Sequence, residues 1–292
     1  AMQWLQVVVT VLLGFQTLAS FIPPFDRSLE LENPPLSGPD VVIAQTLLGR
    51  CAGVPTVSSG KFDEDTKLAT IAFQKKQLLT ADGVIGPETA DALLHFSADG
   101  YKDDGQSAGS QGYLYKLHIP VHRNRSLESV ASLFDANNTL LHSFTVRTHG
   151  HDLYGHPTWP DFNNTDPGRS QLASSGNTPT GLSELDLNTP EPDPKLYGPY
   201  PVNRFVRGLK GNAALLLPSI RDGVLVHTGE WPGWTPSMLM PNSAGCVHGH
   251  PDDIKQVASI LQKHGVVARP NPGSGKGYKW KPQGLVAVEL VD

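Results

Sequence analysis

Cysteine, charge and long apolar runs are all scarce in this chain of 292 residues. Two cysteines, Cys51 and Cys246, allow at most one bridge. Charged residues are 17% of the total and the net charge is −5 with no basic block, which excludes nucleic acid as a partner. The N-terminal apolar run, Val7 to Phe15, is too short to span a bilayer. With small residues at Thr17, Ala19 and Ser20 behind it, it fits a cleavable signal peptide over residues 1–19, an uncleaved anchor being the alternative. A chain so processed is secreted or extracellular and keeps no membrane attachment. No lysine or arginine precedes the run, which is unusual for a bacterial signal. Sequons at Asn124, Asn137 and Asn163 are compatible with a eukaryotic secretory route and a glycoprotein. There is no HExxH. His149, His151 and His156 share a loop, as do His248 and His250, but without the acidic partners of a zinc peptidase they point to no metal and no cofactor.

Glycine and proline are plentiful, 29 and 25 residues, so turns and loops outweigh long helices and a mostly β main domain is expected. The length admits two cores. In the first, residues 36–97, apolar spacing predicts three short helices. One carries Val41, Val42, Gln45 and Leu48 on one face, the second Leu68, Ile71, Ala72 and Lys75, and the third Ala90, Leu93 and Leu94 behind Pro87. Residues 60–66 (GKFDEDT) and 83–89 (GVIGPET) repeat a glycine turn and an apolar residue before an acidic helix start. With Gln45, Phe73-Gln74 and the run Asp82 to Thr89, the unit resembles the three-helix peptidoglycan-binding domain over nearly its whole length. The resemblance implies a module that holds the chain on peptidoglycan; a helical interaction domain is the plainer alternative.

Residues 98–111 are polar and Gly/Ser-rich, a linker by composition. Beyond it, over 112–292, the period changes to two. Tyr115, Leu117, Ile119 and Val121 alternate with polar residues, and a hairpin follows about Asp135, Asn137 and Asn138. Residues 152–177 read as a long loop, and 189–201 as a Pro-rich one. Strands are expected at Ala213 to Leu217, at Val224 to Val226 with His227 at its end, and at Leu285 to Val291. Ile254, Val257, Ala258 and Leu261 predict one amphipathic helix over 252–264, stopped by Gly265.

Residues 226–250 hold the chemistry. A thiol attacks a carbonyl only as thiolate, so a catalytic cysteine needs a base and backbone N–H groups aimed at the oxyanion. Cys246 is the candidate nucleophile and His227 the candidate base; Gly245, without a Cβ, lets the main chain approach a substrate. A bridge from Cys51 would consume this thiol and would join two separate units, so both cysteines are expected free. Trp231 and Trp234 could line a sugar or peptide groove or simply pack their loop.

Four pieces in order resemble the L,D-transpeptidase catalytic domain. They are the hairpin ending at Thr148-His149-Gly150, the turn Thr178-Pro179-Thr180-Gly181, the strand ending in Val226-His227-Thr228-Gly229, and Ser243-Ala244-Gly245-Cys246-Val247 before a helix, with Cys246 19 residues after His227. The resemblance implies a β sandwich with one main helix, a dyad of Cys246 and His227 oriented by Thr228, and substrate contacts from Ser243 and His248 beside the tryptophans. Ala244 stands where the family carries histidine, and His248 where it carries Arg or Asn. The function implied is acyl transfer through a thioester on the stem peptides of peptidoglycan. L,D-carboxypeptidase or other hydrolytic action at the same site is the alternative, and a non-catalytic peptidoglycan-binding protein is a further one. A helix starting near Asp252 would bring its positive end toward the thiolate.

Overall fold

The computed structural model describes residues 20–55, 57–151, 165–273 and 277–292. The expected signal peptide, His156 and the sequon at Asn163 lie outside them. Asn124 is half-buried and Asn137 exposed.

Three helices build the first unit: α1 (Pro39–Arg50), α2 (Glu64–Lys76) and α3 (Pro87–Leu94). Proline opens α1 and α3, where the missing N–H costs no helical bond. Asp63 caps α2 by accepting the Thr66 N–H at 2.9 Å. The two repeated segments owe their likeness to two buried glutamines. Gln45 donates to Lys61 O and Thr66 Oγ1 and accepts from Gly60 N; Gln74 donates to Val84 O and Thr89 Oγ1 and accepts from Gly83 N. Each amide thus satisfies a turn that would otherwise strand buried backbone groups. The same bonds turn α2 away from the face predicted for it. Thr66, Ala69, Thr70, Phe73 and Gln74 are buried, whereas Leu68 is 53% exposed. Apolar spacing missed this because three of the inward residues, Thr66, Thr70 and Gln74, are polar and partnered.

The second unit has eight strands: β1 (Tyr115–Val121), β2 (Ser129–Asp135), β3 (Leu140–Arg147), β4 (Gly181–Asn188), β5 (Val202–Lys210), β6 (Leu225–His227), β7 (Val247–Gly249) and β8 (Gly284–Leu290). They close into a barrel ordered β1-β2-β3-β7-β6-β5-β4-β8. This corrects the expected sandwich. β1 pairs with β2 on one side and with β8, in parallel, on the other, and β3 pairs with β7, so hydrogen bonding leaves no free edge to separate two sheets. A short helix α4 (Pro194–Tyr197) stands in the Pro-rich loop, and α5 (Gly211–Leu216) replaces the strand expected at Ala213 to Leu217. Gly211, at φ 66°, turns the chain off β5 into this helix, and Pro218 stops it. The main helix α6 (Pro251–Lys263) buries the predicted Ile254, Val257, Ala258 and Leu261, and Gly265 follows it at φ 83°.

The apolar core runs as one cluster from the helices into the barrel. Polar contacts reinforce the junction: Arg50 bonds Asn212 Oδ1, Asn212 Nδ2 donates to Ser97 O, and Asp99 accepts from Asn212 N at 2.6 Å and Thr180 Oγ1 at 2.8 Å. The polar stretch beyond Asp99 also lies against the barrel, with Lys116 Nζ on Asp103 and Gly109 N on Ala136 O. No helix among the described residues is long and apolar enough to cross a membrane.

Candidate active site

Side chains alternate across a strand, so the parallel β6–β7 pair sorts its residues by face. The register sets Val226 against Val247 and His227 against His248. Both valines are buried in the barrel core. Cys246, one residue before Val247, therefore shares the opposite face with His227 and His248. All three line one pocket of about 240 Å³ together with Tyr197, Trp231 and Asn242. Both cysteines are free, Cys51 buried in the helical core and Cys246 half-buried at the pocket.

Each histidine is fixed by a carbonyl. His227 Nδ1 lies 2.6 Å from Thr228 O and His248 Nδ1 lies 2.8 Å from Pro241 O. A carbonyl only accepts, so both Nδ1 atoms carry the proton and both Nε2 atoms keep a lone pair. Burial lowers the pKa of His227 to about 4 against a small opposing effect of the Thr228 carbonyl. His248 is driven well below its ordinary value, by burial first and then by the neighbouring His227. Thr228 contributes its carbonyl; its buried hydroxyl has no partner among the described residues.

The thiol is pushed up to about 11 by burial, opposed by the Leu225 N–H and then by Arg221 and Arg204. It sits 3.7 Å from Gly223 O. The helix end expected to assist it is too far along the chain. Four residues separate Cys246 from Pro251, His250 and the three extended residues of β7, the strand alone on the order of 10 Å.

Arg221 takes the electrostatic place that was expected of the helix, and sequence reasoning missed it. It is 4% exposed, and its guanidinium donates to Gln171 O, Asn177 O, Gly176 O and Ala244 O at 2.6, 2.8, 2.9 and 3.3 Å. Among the described residues no carboxylate pairs with it. Gly245 stacks directly on it: at φ 109°, a Cβ there would fall 1.7 Å from Arg221 Nη2. Gly245 N donates to Ser243 Oγ at 3.0 Å, so this N–H is spent inside the loop. Ser243 also bonds His149 O and Cys246 O, which makes it a stitch of the loop as well as a lining residue.

Trp231 is buried against His248, ring centroids 5.1 Å apart, and lines the pocket. Trp234 does not. It packs edge-on behind Trp231 at 5.2 Å and donates from Nε1 to Leu239 O. Two pocket residues had no sequence signal. Tyr197, on α4, lies 5.1 Å from the His227 ring, and burial raises its pKa. Asn242 is 1% exposed, and among the described residues neither its side-chain oxygen nor its nitrogen finds a partner. Among the described residues no cluster of three His, Cys, Asp or Glu could hold a metal ion.

Residues 37–93 match the family model described as "Putative peptidoglycan binding domain". No curated protein matches the chain in sequence. Among solved structures, an L,D-transpeptidase from Stackebrandtia nassauensis is 15% identical, covers 87% of this chain and 92% of its own, and superposes with a TM-score of 0.30. A fused Zn-dependent amidase/peptidase/peptidoglycan-binding domain-containing protein from Clostridium acetobutylicum is 13% identical, covers 90% of this chain and 99% of its own, and gives 0.25. Likeness at that level fixes neither fold nor activity, whereas the match over the helical unit supports peptidoglycan as a partner.

Proposed function

We propose that the chain is a secreted cysteine acyltransferase of the L,D-transpeptidase type, held on peptidoglycan by its helical unit and acting on stem peptides. One observation carries the reading: Cys246 and His227 share a face of β6–β7 and a pocket, and the Thr228 carbonyl leaves the His227 Nε2 lone pair available as a base. Thiol and imidazole rest neutral. As Sγ bonds to the carbonyl carbon of the third stem residue, the thiol proton passes to His227 Nε2. Collapse of the tetrahedral oxyanion breaks the C–N bond, and His227 returns the proton to the departing D-amino acid, leaving a thioester. An acceptor amine, or water, then attacks, giving its proton to His227 while the thiolate leaves and is reprotonated. The unpartnered amide of Asn242 offers one donor and one acceptor to a peptide bond in the pocket.

Incubation with a defined disaccharide-tetrapeptide, with and without an acceptor stem, tests this by mass spectrometry. A cross-linked dimer marks transfer and a shortened tripeptide marks hydrolysis. Either product must vanish in Cys246→Ala; turnover that survives this substitution overturns the mechanism.

A further inference from the structure

A second arginine is buried with most of its donors idle. Arg125 is 3% exposed, and its Nη1 donates to Thr148 Oγ1 at 3.2 Å and Thr178 O at 3.1 Å. Among the described residues its Nε and Nη2 have no partner and no carboxylate forms an ion pair with it. Those two nitrogens form the side of a guanidinium that matches two oxygens of one anion. Both nitrogens keep some contact with solvent, so an incoming anion can reach them. Arg125 lines a cavity of about 270 Å³ between the end of the helical unit, at Leu94, Ser97 and Ala98, and the barrel, and the exposed Arg123 lines it too.

We propose that this cavity is a binding site for a carboxylate, gripped by Nε and Nη2 of Arg125 and covered by Arg123. Among the described residues no acidic one lines it. Two carboxylates whose field reaches Arg125, Asp292 and Asp99, are already engaged: Asp292 on Arg123 N and His122, Asp99 on Asn212 N, Thr180 Oγ1 and Tyr101 N. Their field favours a monoanion over a phosphate dianion, and a planar carboxylate fits a single fork. Leu94, Ser97 and Ala98 at the end of the helical unit line it, so the free carboxylates of peptidoglycan stems are the natural source. That source rests on peptidoglycan being the partner; the site itself does not depend on Cys246 chemistry. The position is also mechanically linked to the nucleophile, because Thr178, whose carbonyl Arg125 holds, donates from Oγ1 to Gly245 O at 3.0 Å.

The test uses the full chain carrying Cys246→Ala, so that acyl transfer cannot contribute. Amide chemical shifts are followed while N-acetyl-D-alanine, its neutral amide N-acetyl-D-alaninamide, or inorganic phosphate is added. Saturable shifts at residues 125 and 178 are expected with the acid and none with the amide. Arg125→Lys, which keeps the charge and loses the fork, should weaken binding about tenfold. Arg123→Ala, at an exposed position that does not endanger folding, should weaken it about fivefold. Equal binding of the amide, binding of phosphate without the carboxylate, or an affinity unmoved by Arg123→Ala overturns the proposal.

Discussion

His227 and His248 stand side by side in the parallel β6–β7 register, ring centroids 4.8 Å apart and planes at 82°, each tied through Nδ1 to a backbone carbonyl. Two imidazoles this close and this buried cannot both hold an extra proton, so the pocket is built around neutral rings. Only one of them needs to be the base.

Substitution separates the two. His227→Ala should lower kcat on a tetrapeptide stem by about 10²–10⁴, the usual contribution of a positioned base. His248→Ala removes a wall of the pocket and should act mainly through KM. An equal loss of kcat from His248→Ala would transfer the base role to it.

The pH dependence follows from where the pKa values stand. With His227 at about 4 and the thiol at about 11, kcat/KM should be flat from about pH 5 to about 10. An inflection near the ordinary histidine value of about 6.5 would contradict this. Stability carries the same signature. Between 6.5 and 4 the unfolded chain binds a proton that folded His227 refuses, so this contribution is complete above 6.5 and is lost as pH falls toward 4. The loss is about 3 kcal/mol, read as a falling urea midpoint.

Asn242 makes an unusual prediction because its amide has no partner among the described residues. Asn242→Leu should leave the urea midpoint unchanged or raised, since a stranded polar group is removed. It should nevertheless raise KM for peptide stems about tenfold. A large loss of stability would mean that the amide already has a structural task.

Arg221 and Gly245 should fail together. Arg221→Lys keeps the charge but cannot reach four carbonyls, and should cost about 2 kcal/mol of stability, the scale of one charge-assisted bond. Its Cys246 should also react more slowly with iodoacetamide at a given pH. Gly245→Ala places a methyl group on Nη2 and should reproduce both effects. Alkylation at the parental rate in both variants would remove Arg221 from the chemistry.

How far the sequence could be read depended on whether buried residues were apolar. The α6 face and the alternation of β1 were legible because Ile254, Val257, Leu261, Leu117 and Ile119 are hydrophobic and point inward. β4 was not, since Ser183, Glu184, Asp186 and Asn188 are buried too, Asp186 taking bonds from Tyr278 and Gln283, and a strand buried on both faces with polar residues shows no period. The same limit applied at the pocket. Cys246 and His227 announce themselves by residue type, whereas Arg221 and Asn242 become visible only when the fold takes water and partners away from them.

The 18 residues between His227 and Cys246 matter less than the register of the two short strands that end the interval. Residues 229–241 form a loop whose length can change without moving either group. Inside β7 the tolerance is of another kind, because parity decides which side of the barrel a residue sees. One residue inserted between Cys246 and His248 would send the thiol or the imidazole into the core and bring a valine to the pocket. A comparison of related chains should therefore find length variation in the loop and none in the strand.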